Sequence, residues 1–179
     1  MIEITFPDGA SRSYEINSTP FDIANSISEG LSRNVISASF NGNTIETTTQ
    51  LKENGKLIFY TWNEQEGKKA FWHSSAHVLA QVLEELYSGI KLTIGPAISN
   101  CFYYDVDFGN HTMSEKDFPK IEKRMIEISR EKHLFKLKSI SKKEALDFYK
   151  NHKNEYKIEL IENLEDGTIS FCNHDNFTD

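Results

Sequence analysis

Cysteine is scarce in this chain, and its placement excludes the common cysteine-based architectures. The 179 residues contain only Cys101 and Cys172, which lie far apart in the sequence and outside any paired motif. A disulfide scaffold needs several closely spaced cysteines, and a four-cysteine zinc site needs two such pairs. The sequence therefore predicts free thiols, with Cys172 as a buried structural thiol near the end of a strand.

Long apolar runs are also missing. No run approaches the roughly 20 apolar residues that a membrane-spanning helix needs. The N-terminal residues "MIEITFPDG" lack the basic segment followed by an apolar one that marks a secretory signal. We therefore expect a soluble, cytoplasmic protein that has no membrane partner.

Positive charge is in deficit over the whole chain but not over all of its parts. The formal net charge is -7, yet residues 115–157 contain 13 Lys and Arg against 8 Asp and Glu. The overall charge argues against a protein that binds nucleic acid over its entire surface. The basic segment is either a local binding face or the solvated surface of helices, and composition does not separate the two.

Residues 1–62 have the pattern of a β-grasp domain. Apolar residues alternate before a "PDG" turn, "STP" opens a short helix that Gly30 is placed to end, Asn41-Gly42 favours a type I′ hairpin, and "KLIFYTW" reads as a last strand. The order hairpin, helix, hairpin, strand gives a small domain. No nucleophile is paired with a base in it.

Residues 63–179 predict a second, α+β domain behind the polar connector "NEQEGKK". Helices are expected from Trp72 to Tyr87, after the capping residues "SEKD" and after "SKKE". "KLTIGPAISNCFYYDVDF" indicates two strands or a strand and a bend, and "HLFKLKSI" indicates a strand. "KIELIE" and "TISFC" are expected to form a final hairpin around an "EDG" turn.

Two histidines one helical turn apart are the most informative feature of the second domain. His73 and His77 lie about 40° apart around a helix, with side chains about 6 Å apart, at the border of its apolar face. Zinc-binding helices use this spacing, but the metalloprotease pattern needs Glu after the first histidine, where this chain has Ser74. A protease is excluded, whereas a metal site, a hydrolytic site and ordinary packing remain open.

Five motifs in a fixed order resemble one family. "ITFPDG", "TPFDIA", "HSSAHVLAQ", "LTIGPAI" and "FYYDVDF" are similar to the N-terminal region of bacterial threonyl-tRNA synthetases, and the resemblance runs from Ile2 to the last residue. It implies an α+β chain with a ubiquitin-like β-grasp TGS domain at residues 1–62 and a C-terminally incomplete editing domain at residues 63–179.

The resemblance also implies an activity. Members of the family attach threonine to tRNA(Thr) in a later catalytic domain, and their editing domain hydrolyses serine wrongly attached to that tRNA. A site built for threonine discriminates poorly against an amino acid that lacks one methyl group, since one such group contributes only about 1–3 kcal/mol. A second, hydrolytic site therefore supplies the missing selectivity.

The resemblance implies two kinds of site residue, those that take part in acid-base catalysis and those that line the substrate pocket. The motif that supplies one further cysteine and histidine would follow Asp179, so we expect this chain alone to be weakly active or inactive. We expect no metal at this site. The implied catalytic residues are His73, His77, Lys157 and Asp179, and the implied substrate-binding residues are Tyr104 and Asp105.

Cofactors and partners follow from the same resemblance. ATP, magnesium and zinc would belong to the aminoacylation domain and not to these residues. The partner would be the acceptor end of tRNA(Thr), and the full-length enzyme would be homodimeric through its other domains. Two alternatives remain: a zinc-dependent aminoacyl-tRNA deacylase that uses the two histidines as ligands, and a tRNA-binding module without chemistry.

The remaining histidines carry no motif. They lie in polar or basic sequence contexts, which predicts exposed side chains without a role in the site. These residues are His111, His133, His152 and His174.

Overall fold

The computed structural model describes residues 1–165 and 167–179, which form two compact units. Unit 1 comprises Met1–Trp72 and unit 2 comprises His73–Asp179. One 22-residue helix, Gln65–Leu86, contributes residues to both units. No helix formed by the described residues has both the length and the apolar character of a membrane span.

Unit 1 is built on a five-stranded mixed sheet. The strand order is β2-β1-β5-β3-β4, with β1 parallel to β5 and every other neighbouring pair antiparallel. This arrangement confirms the predicted β-grasp fold. The strands are β1 (Ile2–Thr5), β2 (Ser11–Tyr14), β3 (Ser37–Phe40), β4 (Asn43–Ile45) and β5 (Gly55–Tyr60).

Two short helices follow the first hairpin in the chain. Thr19 and Asp22 form a capping box at the start of α1 (Pro20–Ile27), as the sequence predicts. The prediction that Gly30 ends this helix is wrong, because Gly30 lies inside α2 (Glu29–Asn34). The Ser28 hydroxyl accepts a hydrogen bond from the Leu31 amide and so begins a second helix where the first one ends.

The core of unit 1 consists of alternating strand residues packed against α1. Ile4, Ile23, Ala38 and Leu57 are fully buried. Between β3 and β4, Asn41 and Gly42 both have positive φ values, 50° and 85°, as the predicted type I′ turn requires.

Unit 2 is a mixture of helices and small sheets. Its chain order from the shared helix is α3 (Gln65–Leu86), β6 (Lys91–Leu92), β7 (Ala97–Ile98), β8 (Cys101–Phe102), β9 (Val106–Asp107), a 3-10 turn (Glu115–Asp117), α4 (Phe118–Glu131), β10 (Lys136–Ser141), α5 (Lys142–Asn151), α6 (Glu155–Glu162), β11 (Thr168–His174) and β12 (Phe177–Thr178). β6 pairs with β9 and β7 with β8, so the segment predicted as two strands or a strand and a bend forms four short strands.

The segment "KIELIE" departs from the prediction. It forms helix α6 and not a strand, because Asn154 caps its first turn by accepting a hydrogen bond from the Lys157 amide. Ile158 and Ile161, three positions apart, then pack on one side against the core that includes Phe171. The turn expected at residues 165–167 includes Asp166, which lies outside the described residues.

Strand β11 is the centre of a three-stranded antiparallel sheet with β10 and β12. Cys172 is buried in it, as predicted, while Cys101 is exposed. Beyond β12 the pairing continues: the Asp179 amide donates to the Cys172 carbonyl at 3.0 Å, and the Asp179 carbonyl accepts from the Cys172 amide at 2.7 Å. The β11–β12 hairpin therefore fixes the backbone of Asp179.

Candidate active site

Helix α3 presents the two motif histidines to one cluster. His73 is exposed, whereas His77 is only 7% exposed, and their Nε2 atoms lie 3.2 Å apart. The rings meet edge to face at 86°. Positions i and i+4 of a helix face the same side, so a single regular helix accounts for the contact. The pair thus runs from the protein interior to its surface.

Asp179 occupies the inner end of the cluster. Its side chain is 8% exposed, and its Oδ1 lies 2.5 Å from Nζ of Lys157. Oδ2 accepts a hydrogen bond from the Tyr104 hydroxyl at 2.5 Å and lies 3.4 Å from Nδ1 of His77. The contact with His77 is longer than a well-formed hydrogen bond but short enough for a strong electrostatic interaction. One carboxylate therefore joins three other members of the cluster.

Lys157 reaches Asp179 because of the cap of α6. Asn154 is 8% exposed; its amide donates to the Leu92 carbonyl at 2.8 Å while its Oδ1 caps the helix. These bonds anchor the first turn of α6 to strand β6. The Lys157 side chain is 15% exposed, and its ammonium lies near Tyr104 and above the ring of Tyr149.

Tyr104 is held by the "IGP" segment. A Cβ atom added at Gly95 would lie 2.2 Å from Cδ2 of the Tyr104 ring, so the ring packs directly on the glycine backbone. This close approach explains why a glycine precedes Pro96. It also directs the Tyr104 hydroxyl toward Asp179.

The surroundings shift the pKa values of Asp179 and Tyr104 in opposite directions. Burial is the largest single effect on Asp179 and opposes its ionisation, but His77, the charge of Lys157 and the hydrogen bonds from Lys157 and Tyr104 together lower its pKa below the ordinary range. Burial first, and the Asp179 charge second, raise the pKa of Tyr104. The cluster therefore holds an ionised carboxylate, an ammonium and a neutral phenol.

Two members of the cluster were not predicted from the sequence. Burial and the charge of Asp179 raise the pKa of the Tyr149 hydroxyl, and partial burial followed by the same charge raises that of the Glu84 carboxyl. Glu84 follows His77 by two helical turns, a signal that the helix pattern contained. Tyr149 had no such signal, because it occupies a position of the apolar stripe of α5.

Asp105 has a different environment from the rest of the predicted site. It is exposed, its backbone amide donates to the Ile94 carbonyl at 2.9 Å, and its own carbonyl accepts from the Thr93 amide at 3.0 Å. The structure thus brings together His73, His77, Tyr104, Lys157 and Asp179 and leaves Asp105 at the surface. A substrate-binding role for Asp105 stays a prediction.

The prediction for the other histidines is wrong for His174. His174 is only 1% exposed, because its ring packs between Phe135 and Phe177. His111 and His152 are exposed as predicted, and the His133 side chain is 33% exposed beside Glu131.

A metal centre was one of the open interpretations of the histidine pair. Among residues 1–165 and 167–179, no group of three or more His, Cys, Asp or Glu side chains is arranged to hold a metal ion. The pair and Asp179 instead form a carboxylate, imidazole, imidazole series.

Comparison with known proteins gives two kinds of match. The TGS domain family matches residues 2–61. The whole chain is 62% identical to a threonine–tRNA ligase of Flavobacterium psychrophilum, 63% identical to that of Flavobacterium johnsoniae and 48% identical to that of Cytophaga hutchinsonii. The chain spans 27% of the length of the two Flavobacterium proteins and 28% of the Cytophaga protein. Residues 2–61 are therefore a TGS domain, and the chain as a whole matches the N-terminal part of threonine–tRNA ligases.

Proposed function

We propose that this chain carries the editing activity of a threonine–tRNA ligase, the hydrolysis of serine from mischarged tRNA(Thr). The observation that carries the proposal is the convergence of His73, His77, Tyr104, Lys157 and Asp179 from four separate parts of unit 2. The partner is the acceptor end of tRNA(Thr). ATP, magnesium and zinc would serve aminoacylation in a domain outside these residues.

The reaction requires a water molecule, a group that accepts its proton and a donor for the developing oxyanion. His73 is the member of the pair that solvent reaches, so it is the proposed general base. His77 contacts the His73 ring with Nε2 and faces Asp179 with Nδ1. The carboxylate thereby favours a proton on Nδ1 of His77 and a free electron pair on its Nε2, which orients His73.

Lys157 has a narrower role than its charge alone indicates. Its ammonium is engaged by Asp179 at 2.5 Å in a mostly buried position, so most of its charge is neutralised. We assign it to holding Asp179 ionised. The oxyanion donor is then a different group, and the one free hydroxyl of the substrate ribose, next to the ester, is chemically suited to assist the attacking water.

A direct test joins this chain to the sequence that follows the matched region in the Flavobacterium psychrophilum relative. Purified seryl-tRNA(Thr) and threonyl-tRNA(Thr) are incubated with this protein, and ester loss is followed. We expect serine to be released at least about tenfold faster than threonine, as discrimination by one methyl group permits. Equal rates on both substrates would contradict the proposal.

The same assay tests the assignment of the base. His73→Ala is expected to lower the hydrolysis rate by about 100-fold or more, the usual contribution of a positioned acid-base group. His111→Ala is the matched control, because His111 is an exposed histidine of the same unit outside the cluster. An unchanged rate in His73→Ala would favour the alternative of a tRNA-binding module without chemistry.

The zinc-dependent alternative predicts a different result. The Nε2 atoms of His73 and His77, 3.2 Å apart, are close enough to bind one ion together. The protein to analyse is this chain joined to the following sequence of the relative. If it contains stoichiometric zinc, loses hydrolysis on chelation and regains it when zinc is added, the zinc-dependent alternative is established. Activity that withstands chelation supports the general-base mechanism.

A further inference from the structure

His174 is a buried titratable residue that the proposed mechanism does not use. It ends strand β11, is 1% exposed, and neither of its ring nitrogens forms a hydrogen bond of ordinary geometry with the described residues. Buried polar atoms are nearly always paired, so an unpaired imidazole in the interior calls for a reason.

The ring of His174 lies between the hairpin and helix α3. Its centroid is 4.4 Å from that of Phe135, 5.2 Å from that of Phe177 and 6.4 Å from that of His77. His77 is itself in contact with Asp179. The rings of Phe135, His174 and Phe177 therefore form one aromatic stack next to His77. His77 in turn contacts the exposed His73.

The backbone connects the same ring to Asp179. His174 pairs with Phe177 across the β11–β12 hairpin, and Cys172 pairs with Asp179. Side chains two residues apart on a strand lie on one face, so His174 and Cys172 share a face, as do Phe177 and Asp179. Displacement of the His174 ring would tilt the hairpin and move Asp179 away from His77.

We propose that His174 is a positioning residue: its uncharged ring, held between Phe135 and Phe177 behind His77, keeps the hairpin that carries Asp179 against helix α3. The proposal rests on the proposed function only for the catalytic role of the residues that His174 positions. The placement of Asp179 against helix α3 is a property of this chain and does not depend on that role.

His174 can have this role only while its ring is uncharged. Burial, and then the electrostatic interaction with His77, lower the pKa of His174 from 6.5 to about 4. His133 acts in the same direction, while the His77 backbone and Asp175 oppose the shift less strongly. The folded protein thus disfavours the protonated ring, whereas the unfolded chain accepts a proton near pH 6.5. Stability from the neutral ring is complete above pH 6.5 and is lost as the pH falls toward 4.

The test uses the 179-residue chain and needs no tRNA. Nuclear magnetic resonance follows the His174 ring and the exchange protection of the Cys172 amide, which bonds the Asp179 carbonyl, from pH 7 to 4.5. We expect the ring to stay neutral below pH 5, and protection, corrected for intrinsic exchange, to fall at least about tenfold over this range.

His174→Phe fills the same aromatic position but takes up no proton. In this variant we expect the exchange protection of the Cys172 amide to vary by less than about threefold over the same pH range. The control His111→Gln removes an exposed histidine of the same unit outside the stack, and it should show the wild-type loss.

Two results would overturn the proposal: a His174 ring that titrates near pH 6.5, or a loss of protection in His174→Phe equal to that of the wild type. The ring titration decides the question in the wild-type chain even if the variant fails to fold. A protein that passes this test but does not hydrolyse seryl-tRNA would contradict the proposed function and leave the positioning role intact.

Discussion

Asp179 is the residue on which the cluster depends. Transfer of a carboxylate to a site that is 8% exposed costs several kcal/mol unless partners compensate. The compensation comes from the Lys157 ammonium, the Tyr104 hydroxyl and His77. Removal of one partner leaves the charge buried, so the effect on stability exceeds the contribution of a surface ion pair.

Replacement of Lys157 tests this dependence. We expect Lys157→Met to lower the free energy of unfolding by about 3 kcal/mol at pH 7, since it leaves an uncompensated buried carboxylate. Burial without the ammonium raises the pKa of Asp179 in the variant, whereas the wild-type carboxyl stays ionised well below its ordinary range. The deficit relative to the wild type therefore increases as the pH rises from 3 toward 7, through the raised pKa of the variant. Urea unfolding at several pH values measures both effects.

Lys150→Met is the matched control for this experiment, because Lys150 is an exposed lysine in the last turn of α5. Its effect should stay within about 0.5 kcal/mol and should not depend on pH between 3 and 7. A deficit in Lys157→Met that is constant over this range would show that Lys157 does not hold Asp179 ionised.

At the scale of elements, the site depends on short segments and not on the long helix alone. Helix α3 supplies the histidine pair, but the partners come from the first turn of α6, from the loop between β8 and β9 and from the end of the β11–β12 hairpin. Each is fixed by one local contact: the Asn154 cap, the Gly95 backbone or the pairing of Cys172 with Asp179.

The Gly95 contact gives an element-scale prediction. Gly95→Ala places a methyl group where the Tyr104 ring lies, and the ring is tied to Asp179 by its hydroxyl. We expect the free energy of unfolding to fall by about 1–3 kcal/mol and the Tyr104 hydrogen bond to break, as overpacking usually requires. Urea unfolding measures the first effect, and the resonances of the Tyr104 ring report the second.

Gly30→Ala is the control for this substitution. In α2 the added methyl group would approach no atom closer than 3.9 Å, and alanine favours a helix over glycine. We expect a neutral or slightly stabilising effect. A Gly95→Ala protein as stable as Gly30→Ala would show that the ring does not need the bare backbone.

At the scale of the whole molecule, each unit has its own apolar core. The core of unit 1 is formed by sheet residues with α1, and unit 2 has separate clusters around α3 with α4 and around α5 with α6. A domain with its own core is expected to unfold as its own cooperative unit.

Leu57→Ala tests this expectation. Leu57 is fully buried in unit 1, and truncation to alanine should cost about 2–4 kcal/mol through lost burial and a residual cavity. Hydrogen exchange should show reduced protection in strands β1, β3 and β5, with the protection of the β10–β11 pair retained. An equal loss in β10 and β11 would mean that the two cores unfold together.

The sequence was a good guide where the signal is local. The hairpin at "PDG", the Asn41-Gly42 turn and the caps at Thr19, Ser114 and Ser141 follow from the conformational preferences of a few adjacent residues, and all are present. Prediction failed at α6, where the apolar pattern of "KIELIE" fits a strand or a helix. Only the Asn154 cap and the contact with Phe171 select the helix.

The candidate site shows the same division. The spacing of His73 and His77 is a property of one helix, so the sequence alone placed them together. The burial of His174 and the involvement of Tyr149 were missed, because burial depends on which distant segments pack on a residue and not on its neighbours in the chain.

The sequence by itself determined the β-grasp unit, the helix with its two histidines and the family resemblance, because these rest on short-range periodicity and motif order. Tertiary structure alone decided that Asp179 is ionised between Lys157, Tyr104 and His77 and that His174 is buried behind them. The physical reason is that desolvation and Coulomb energies depend on distances between segments that are far apart in the chain.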